Sequence, residues 1–164
     1  MPVEAREFLP FEIVKEPWNE YVIKDQGEEG ILRGRLILAK VIRIGDTNDP
    51  KRLGIQVAPH QIWITHSPPK LRGEPSPRLP SPPDVPNNQR IEVEVETRRE
   101  DWSAYRLPVD KGDLRLRYVI SRGYRVPNLF AMDREPFYIV ESAGLSEILK
   151  DGEPTGSPVG EPIK

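Results

Sequence analysis

The sequence predicts an all-β fold: a duplicated four-stranded meander forming a pseudo-two-fold barrel or sandwich, with one short C-terminal helix. Three observations predict it. Apolar and polar residues alternate with period two along much of the chain. A segment of the first half resembles a segment of the second in order and spacing. A proline-rich stretch separates the two.

Taking the elements in order, residues 6–66 form the first repeat. Runs at 8–15, 20–24, 31–44 and 53–58, and a further one at Ile62–Thr65, are rich in Ile, Val, Leu and aromatic residues. Gly, Pro, Asn and Asp bound them, as expected of strands and their turns. Asp46-Thr-Asn-Asp49 is read as a turn before Pro50, because Asp and Asn side chains close tight turns, and it lacks the twelve-position ligand pattern of a calcium loop. Residues 67–89 form the connecting segment. His66–Gln89 holds eight of the nineteen prolines. The spacing Pro-x-x-Pro occurs at Pro77–Pro80, Pro80–Pro83 and Pro83–Pro86, but without the flanking Arg or Lys that SH3 domains favour. A stiff spacer is therefore expected.

Residues 90–141 form the second repeat, with strands expected at 91–99, 104–109, 113–126 and 136–141. Ile91, Val93 and Val95 alternate with Glu92, Glu94 and Glu96, and Leu114, Leu116 and Tyr118 with Arg115 and Arg117. Residues 142–150 read as the short helix, since Leu145, Ile148 and Leu149 share a helical face and Asp151-Gly152 supplies a stop. Residues 151–164 have little to pack and read as a flexible tail.

The repeat rests on named positions. Phe11–Ile23 aligns with Val95–Leu107, giving the identities Glu12/Glu96, Glu16/Glu100, Trp18/Trp102 and Tyr21/Tyr105. After a short turn, 32–44 aligns with 114–126, giving Leu32/Leu114, Arg33/Arg115, Arg35/Arg117 and Arg43/Arg125. The turn keeps Asp-x-Gly, as Asp25-Gln-Gly27 and Asp110-Lys-Gly112. A unit of roughly 55 residues buries little surface alone, so the two copies are expected to share a core.

Composition narrows the function. With 37% hydrophobic and 30% charged residues the chain reads as a soluble globular protein. No apolar run reaches the roughly 18 to 20 residues of a membrane helix. The opening MPVEAREFLP lacks a basic-then-apolar pattern, so no secretory signal is expected and the cytosol is the expected location. The absence of cysteine removes disulfides, thiolate catalysis and Cys-based zinc sites. Abundant proline and arginine with no cysteine fit a thermophile's chain. Charge is uneven: residues 1–30 carry three basic and eight acidic groups, a balance of −5, while residues 31–90 carry ten basic and four acidic, a balance of +6.

No nucleophile elbow, phosphate-binding loop, dinucleotide fingerprint or HExxH pair is present. His60 and His66 are the two histidines, and six strand positions put them about 20 Å apart, too far to share a metal. Neither a metal nor a cofactor is expected. The candidate binding residues are Arg33, Arg35, Lys40 and Arg43 in the first repeat, with Arg115, Arg117, Arg122, Tyr124 and Arg125 in the second. Strict alternation turns Lys40 and Arg122 away from the other arginines, so they join one face only if a bulge intervenes. A basic face flanked by Tyr118, Tyr124 and Trp63 has the chemistry of single-stranded RNA binding. An Arg–Glu ladder across neighbouring strands accounts for the same residues without a ligand. Trp18, Tyr21, Trp102 and Tyr105 are expected to pack each copy's core.

The function expected from this is a non-catalytic interaction or assembly subunit whose partner is a protein in a larger complex. An RNA-binding or ribosome-associated protein is the alternative, and an enzyme with a site between the copies is the third reading.

Overall fold

The structure, a computed structural model, describes residues 6–44, 55–108, 112–150 and 153–154. They form ten strands: β1 (Arg6–Phe8), β2 (Glu12–Lys15), β3 (Trp18–Asp25), β4 (Glu28–Ile44), β5 (Ile55–His66), β6 (Ile91–Arg99), β7 (Ser103–Leu107), β8 (Gly112–Phe130), β9 (Pro136–Lys150) and β10 (Glu153–Pro154). Every pairing is antiparallel. The predicted turn at 46–49 and most of the predicted tail lie outside the described residues, β10 being the part of the tail that is described.

The long strands β4 and β8 organise everything else. Along one edge of β4 lie β3 and β1, and along the other lies β5. Along one edge of β8 lie β7 and β6, and along the other lies β9. The halves are stitched by strands that cross between them. β6 pairs with β8 through Ile91–Val93 and then with β3 through 94–99. The chain through β1 and β2 does the converse, pairing first with β4 and then with β7. Asp25-Gln26-Gly27-Glu28 closes the β3–β4 hairpin, with Gln26 at φ 53° and Gly27 at φ 76°, the two positive values a tight type I′ turn requires.

Two expectations are corrected here. The sheet is not closed into a barrel. Each long strand spends one edge on two short strands and the other on β5 or β9, so among the described residues the ladder branches and ends at β5 and, past β9, at β10 instead of returning on itself. No helix occupies 142–150. That segment continues β9, paired with β8 from Gly112↔Lys150 to Ile120↔Ser142. Its helical periodicity is a local preference of a few tenths of a kcal/mol per residue, and an unpaired edge of a nineteen-residue strand outweighs it. The pairing also buries Ile148 and sets Glu147 opposite Arg115. The described helical turns are three short 3-10 turns in the proline-rich segment, at Pro69–Leu71, Pro82–Asp84 and Asn87–Gln89.

Two clusters of buried residues draw on both halves. Leu9, Leu36, Leu38, Val41, Ile55 and Val57 of the first pack with Tyr105, Leu107, Leu114, Leu116 and Ile148 of the second. Tyr21, Ile23, Leu32 and Trp63 of the first pack with Val93, Val95, Ile120, Tyr138 and Val140 of the second. Close approaches need glycine. A β-carbon on Gly34 would collide with the Trp63 ring that crosses it, and one on Gly123 would meet Val95 at 2.7 Å.

The proline-rich segment is a packed strap. Leu71 and Val85 are buried, Val85 against Val126 and Ile139. Gly73 N–H donates to Arg134 O and Ser76 N–H to Phe130 O. The Ser67 N–H donates to both oxygens of the buried Glu135 at 3.1 and 3.0 Å, and Arg72 stands 3.5 Å from the same carboxylate. Prolines hold the strap extended at little entropic cost, while its few N–H groups tie it to the end of the β8–β9 hairpin.

Candidate functional site

The candidate residues lie along β4 and β8, and one bulge in each strand decides which of them share a face. In β4 the register slips between Leu38 and Lys40, leaving Ala39 without a partner in β5. In β8 it slips between Ile120 and Arg122, leaving Ser121 without one in β9. One extra residue reverses the alternation beyond it. Lys40 therefore joins Arg33 and Arg35 on the outer face, and Arg122 joins Arg115 and Arg117. The same reversal removes Arg43 and Arg125 from that face. Arg43 follows the buried Val41 on the inner side and is half-buried. Arg125 Nε lies 2.8 Å from Asp25 Oδ2, with side-chain exposures of 16% and 4%.

On the first outer face, Arg33 Nε stands 3.6 Å from Glu20 Oε1, and Arg98 approaches Glu20 Oε2 at 3.4 Å. Arg35 donates from Nε to Glu16 O at 2.9 Å and lies over the Trp18 ring at 5.7 Å. Lys40 lies over the exposed Phe8 ring at 5.8 Å. On the second, Arg115 and Arg117 share one ring, their guanidinium carbons 4.3 and 4.6 Å from the centroid of Trp102. Arg115 is also bound by Glu147, and Arg117 Nη1 stands 3.9 Å from Glu100 Oε1. The Tyr124 hydroxyl, then the Glu92 and Glu141 carboxylates, hold the Arg122 guanidinium above its already high pKa. Tyr124 itself lies under Arg90 at 5.8 Å. Thus Arg33, Arg115 and Arg117 face carboxylates, and Arg35 faces a carbonyl oxygen.

Beneath these faces lie acids that sequence reasoning did not connect. The Tyr105 hydroxyl donates to Glu16 Oε2 at 2.9 Å, and the Tyr21 hydroxyl donates to Glu100 Oε2 at 2.8 Å. Glu16 Oε2 also accepts the Leu38 N–H at 3.0 Å. The Tyr138 hydroxyl donates to Asp25 at 3.0 Å. Burial first, then the neighbouring carboxylate, pushes all three tyrosine hydroxyls well above their ordinary pKa. Repetition of Glu, Trp and Tyr was visible in the sequence, but not which Glu meets which Tyr.

A cleft of about 380 Å³ lies between β5, the β8–β9 turn and β9, lined by Leu32, Trp63, Ile64, Pro82, Phe137 and Tyr138, with Asp133 and Glu135 also in its lining. Both acids are engaged, Glu135 as described and Asp133 by accepting the Glu135 N–H at 3.2 Å. Among the described residues no group of three or more His, Asp or Glu could hold a metal ion. No helix among them is long and apolar enough to cross a membrane. No protein-family model, no curated protein and no solved structure matches the chain.

Proposed function

We propose that this is an internally duplicated β-protein that acts as a non-catalytic, cytosolic assembly subunit, binding a protein partner through the outer faces of its long hairpins. The observation that carries the reading is the occupation of its aromatic platforms. Trp18 lies under Arg35, Trp102 is shared by Arg115 and Arg117, and Trp63 packs against Tyr21 at 6.2 Å. RNA binding on a sheet depends on open aromatic faces on which bases stack, and all three tryptophans are already covered. The ionisable groups at the cleft are likewise engaged with neighbours, which disfavours an enzyme built there.

The duplication is supported by reciprocity. The register slips recur at aligned positions, Ala39 with Ser121 and Val14 with Arg98. Glu16 of the first half holds Tyr105 of the second, and Glu100 of the second holds Tyr21 of the first. Affinity purification from the native organism with and without nuclease tests the function. Recovery of one protein complex in both conditions is expected, whereas recovery of RNA that nuclease removes would favour the RNA-binding reading.

A further inference from the structure

We infer that the β4–β5 face, with the open edge of β5, docks an extended acidic and apolar segment of a partner protein, added as a further antiparallel or parallel strand. The inference rests on the assembly-subunit reading and names the surface and the partner's chemistry.

The two hairpins provide the comparison. On β8–β9, Arg115 faces Glu147 and Arg122 faces Glu141 directly across the strands. On β4–β5, the aligned cations Arg33 and Lys40 face Ile64 and Ala58. The edge strand that supplies carboxylates in one half supplies apolar residues in the other. Ile62 and Ile64 are 40% and 38% exposed, and both sit across from arginines. Glu20 is shared by Arg33 and Arg98, so this face keeps an excess of positive charge. Among the described residues β5 pairs with β4 alone, so its other edge offers backbone donors and acceptors for strand addition. An added strand carrying carboxylates and apolar side chains would repeat for Arg33 and Lys40 what Glu147 and Glu141 do for their counterparts, while covering Ile62 and Ile64. A second copy of this chain paired edge to edge through β5 would instead bring two basic faces together, which charge repulsion opposes.

The probe is a fluorescein-labelled synthetic peptide, Ile-Glu-Val-Glu-Val-Glu-Thr, followed by fluorescence anisotropy. Its counterpart with lysines in place of glutamates and an oligouridine RNA serve as comparisons. Saturable binding of the acidic peptide is expected, weakening by about tenfold or more when salt rises from roughly 0.05 to 0.5 M. Ile64→Glu should weaken it about tenfold by placing a carboxylate on β5 opposite Arg33, in addition to the Glu20 that Arg33 shares with Arg98, with the fold retained. Lys40→Glu, at an exposed position, should weaken it several-fold. No saturable binding, equal binding of the lysine peptide, binding untouched by either substitution, or binding of the RNA alone would each overturn the proposal. If affinity purification recovers the same nuclease-resistant complex with wild type and Ile64→Glu, the assembly reading stands and this surface is wrong. If neither recovers a complex, the assembly reading itself fails.

Discussion

The β4–β5 and β8–β9 hairpins each carry outward basic residues on both sides of one bulge, at Ala39 and Ser121, yet neutralise them differently. Inside, the halves answer each other closely: Glu16 with Tyr105 and Glu100 with Tyr21, at 2.9 and 2.8 Å. Outside, β9 supplies Glu147 and Glu141 where β5 supplies Ile64 and Ala58. A part-buried carboxylate that loses its donor costs more than an exposed surface pair that loses its partner. The interior is therefore held to one solution, and the outer faces are free to diverge. On the proposed assembly reading, the partner surface is the one where the two halves disagree.

The interior half of this comparison breaks most visibly at the tyrosines. Tyr21→Ala and Tyr105→Ala should each cost about 3–5 kcal/mol, the range for deleting a buried aromatic side chain. Because each cluster contains residues of both halves, circular dichroism and tryptophan fluorescence should report one coincident unfolding transition. Two separated transitions would mean that the halves fold independently. Asp25→Ala comes next. It strands the half-turned Arg125 and the Tyr138 hydroxyl together, and a loss of roughly 3 kcal/mol in urea unfolding is expected from breaking a buried ion pair. A loss under about 1 kcal/mol would show that water reaches this site.

Alkaline pH probes the same interior more gently. The hydroxyls of Tyr21, Tyr105 and Tyr138 ionise in the folded protein only well above their ordinary pKa near 10. A group whose folded pKa is raised contributes stability in full below its unfolded pKa and loses it as pH climbs toward the folded value. Stability should therefore be level below about pH 9 and fall above about pH 10. Tyrosinate absorbance should show these three residues ionising together with unfolding; free ionisation near pH 10 in folded protein would contradict the buried pairing.

The smallest effects lie on the outer faces and sharpen the contrast directly. Glu147→Ala should cost about 0.5–1 kcal/mol, as a cross-strand ion pair does. Ile64→Glu should be neutral or stabilising by a few tenths of a kcal/mol, since it gives Arg33 a second facing carboxylate beside Glu20, which Arg98 shares. A large loss from Ile64→Glu would mean that Ile64 is part of the core and not of an open face.

Much of this was legible in the order of residues. Alternation marks β6 and the start of β8, and Glu16, Trp18 and Tyr21 recur at the same spacing as Glu100, Trp102 and Tyr105. The condition on Lys40 and Arg122 was also legible: a bulge would bring them to the arginine face, and bulges at Ala39 and Ser121 do so. The same bulges turn Arg125 inward onto Asp25, which alternation alone could not foresee. Residues 142–150 were misread as a helix because their spacing satisfies a helical face while the partner edge that claims them lies a whole strand away in sequence. Glu147 was missed as the partner of Arg115 for that reason alone.

By itself the sequence determined the all-β character and the place of the strap, because alternation, composition and proline are properties of neighbouring residues. The tertiary structure decided that the ladder branches at β4 and β8 and that, among the described residues, β5 pairs with β4 alone. It also decided that each half's glutamate holds the other half's tyrosine, and which arginines face carboxylates or isoleucines. Those outcomes depend on register and on strands that cross between halves. A one-residue slip reverses them without altering any local pattern.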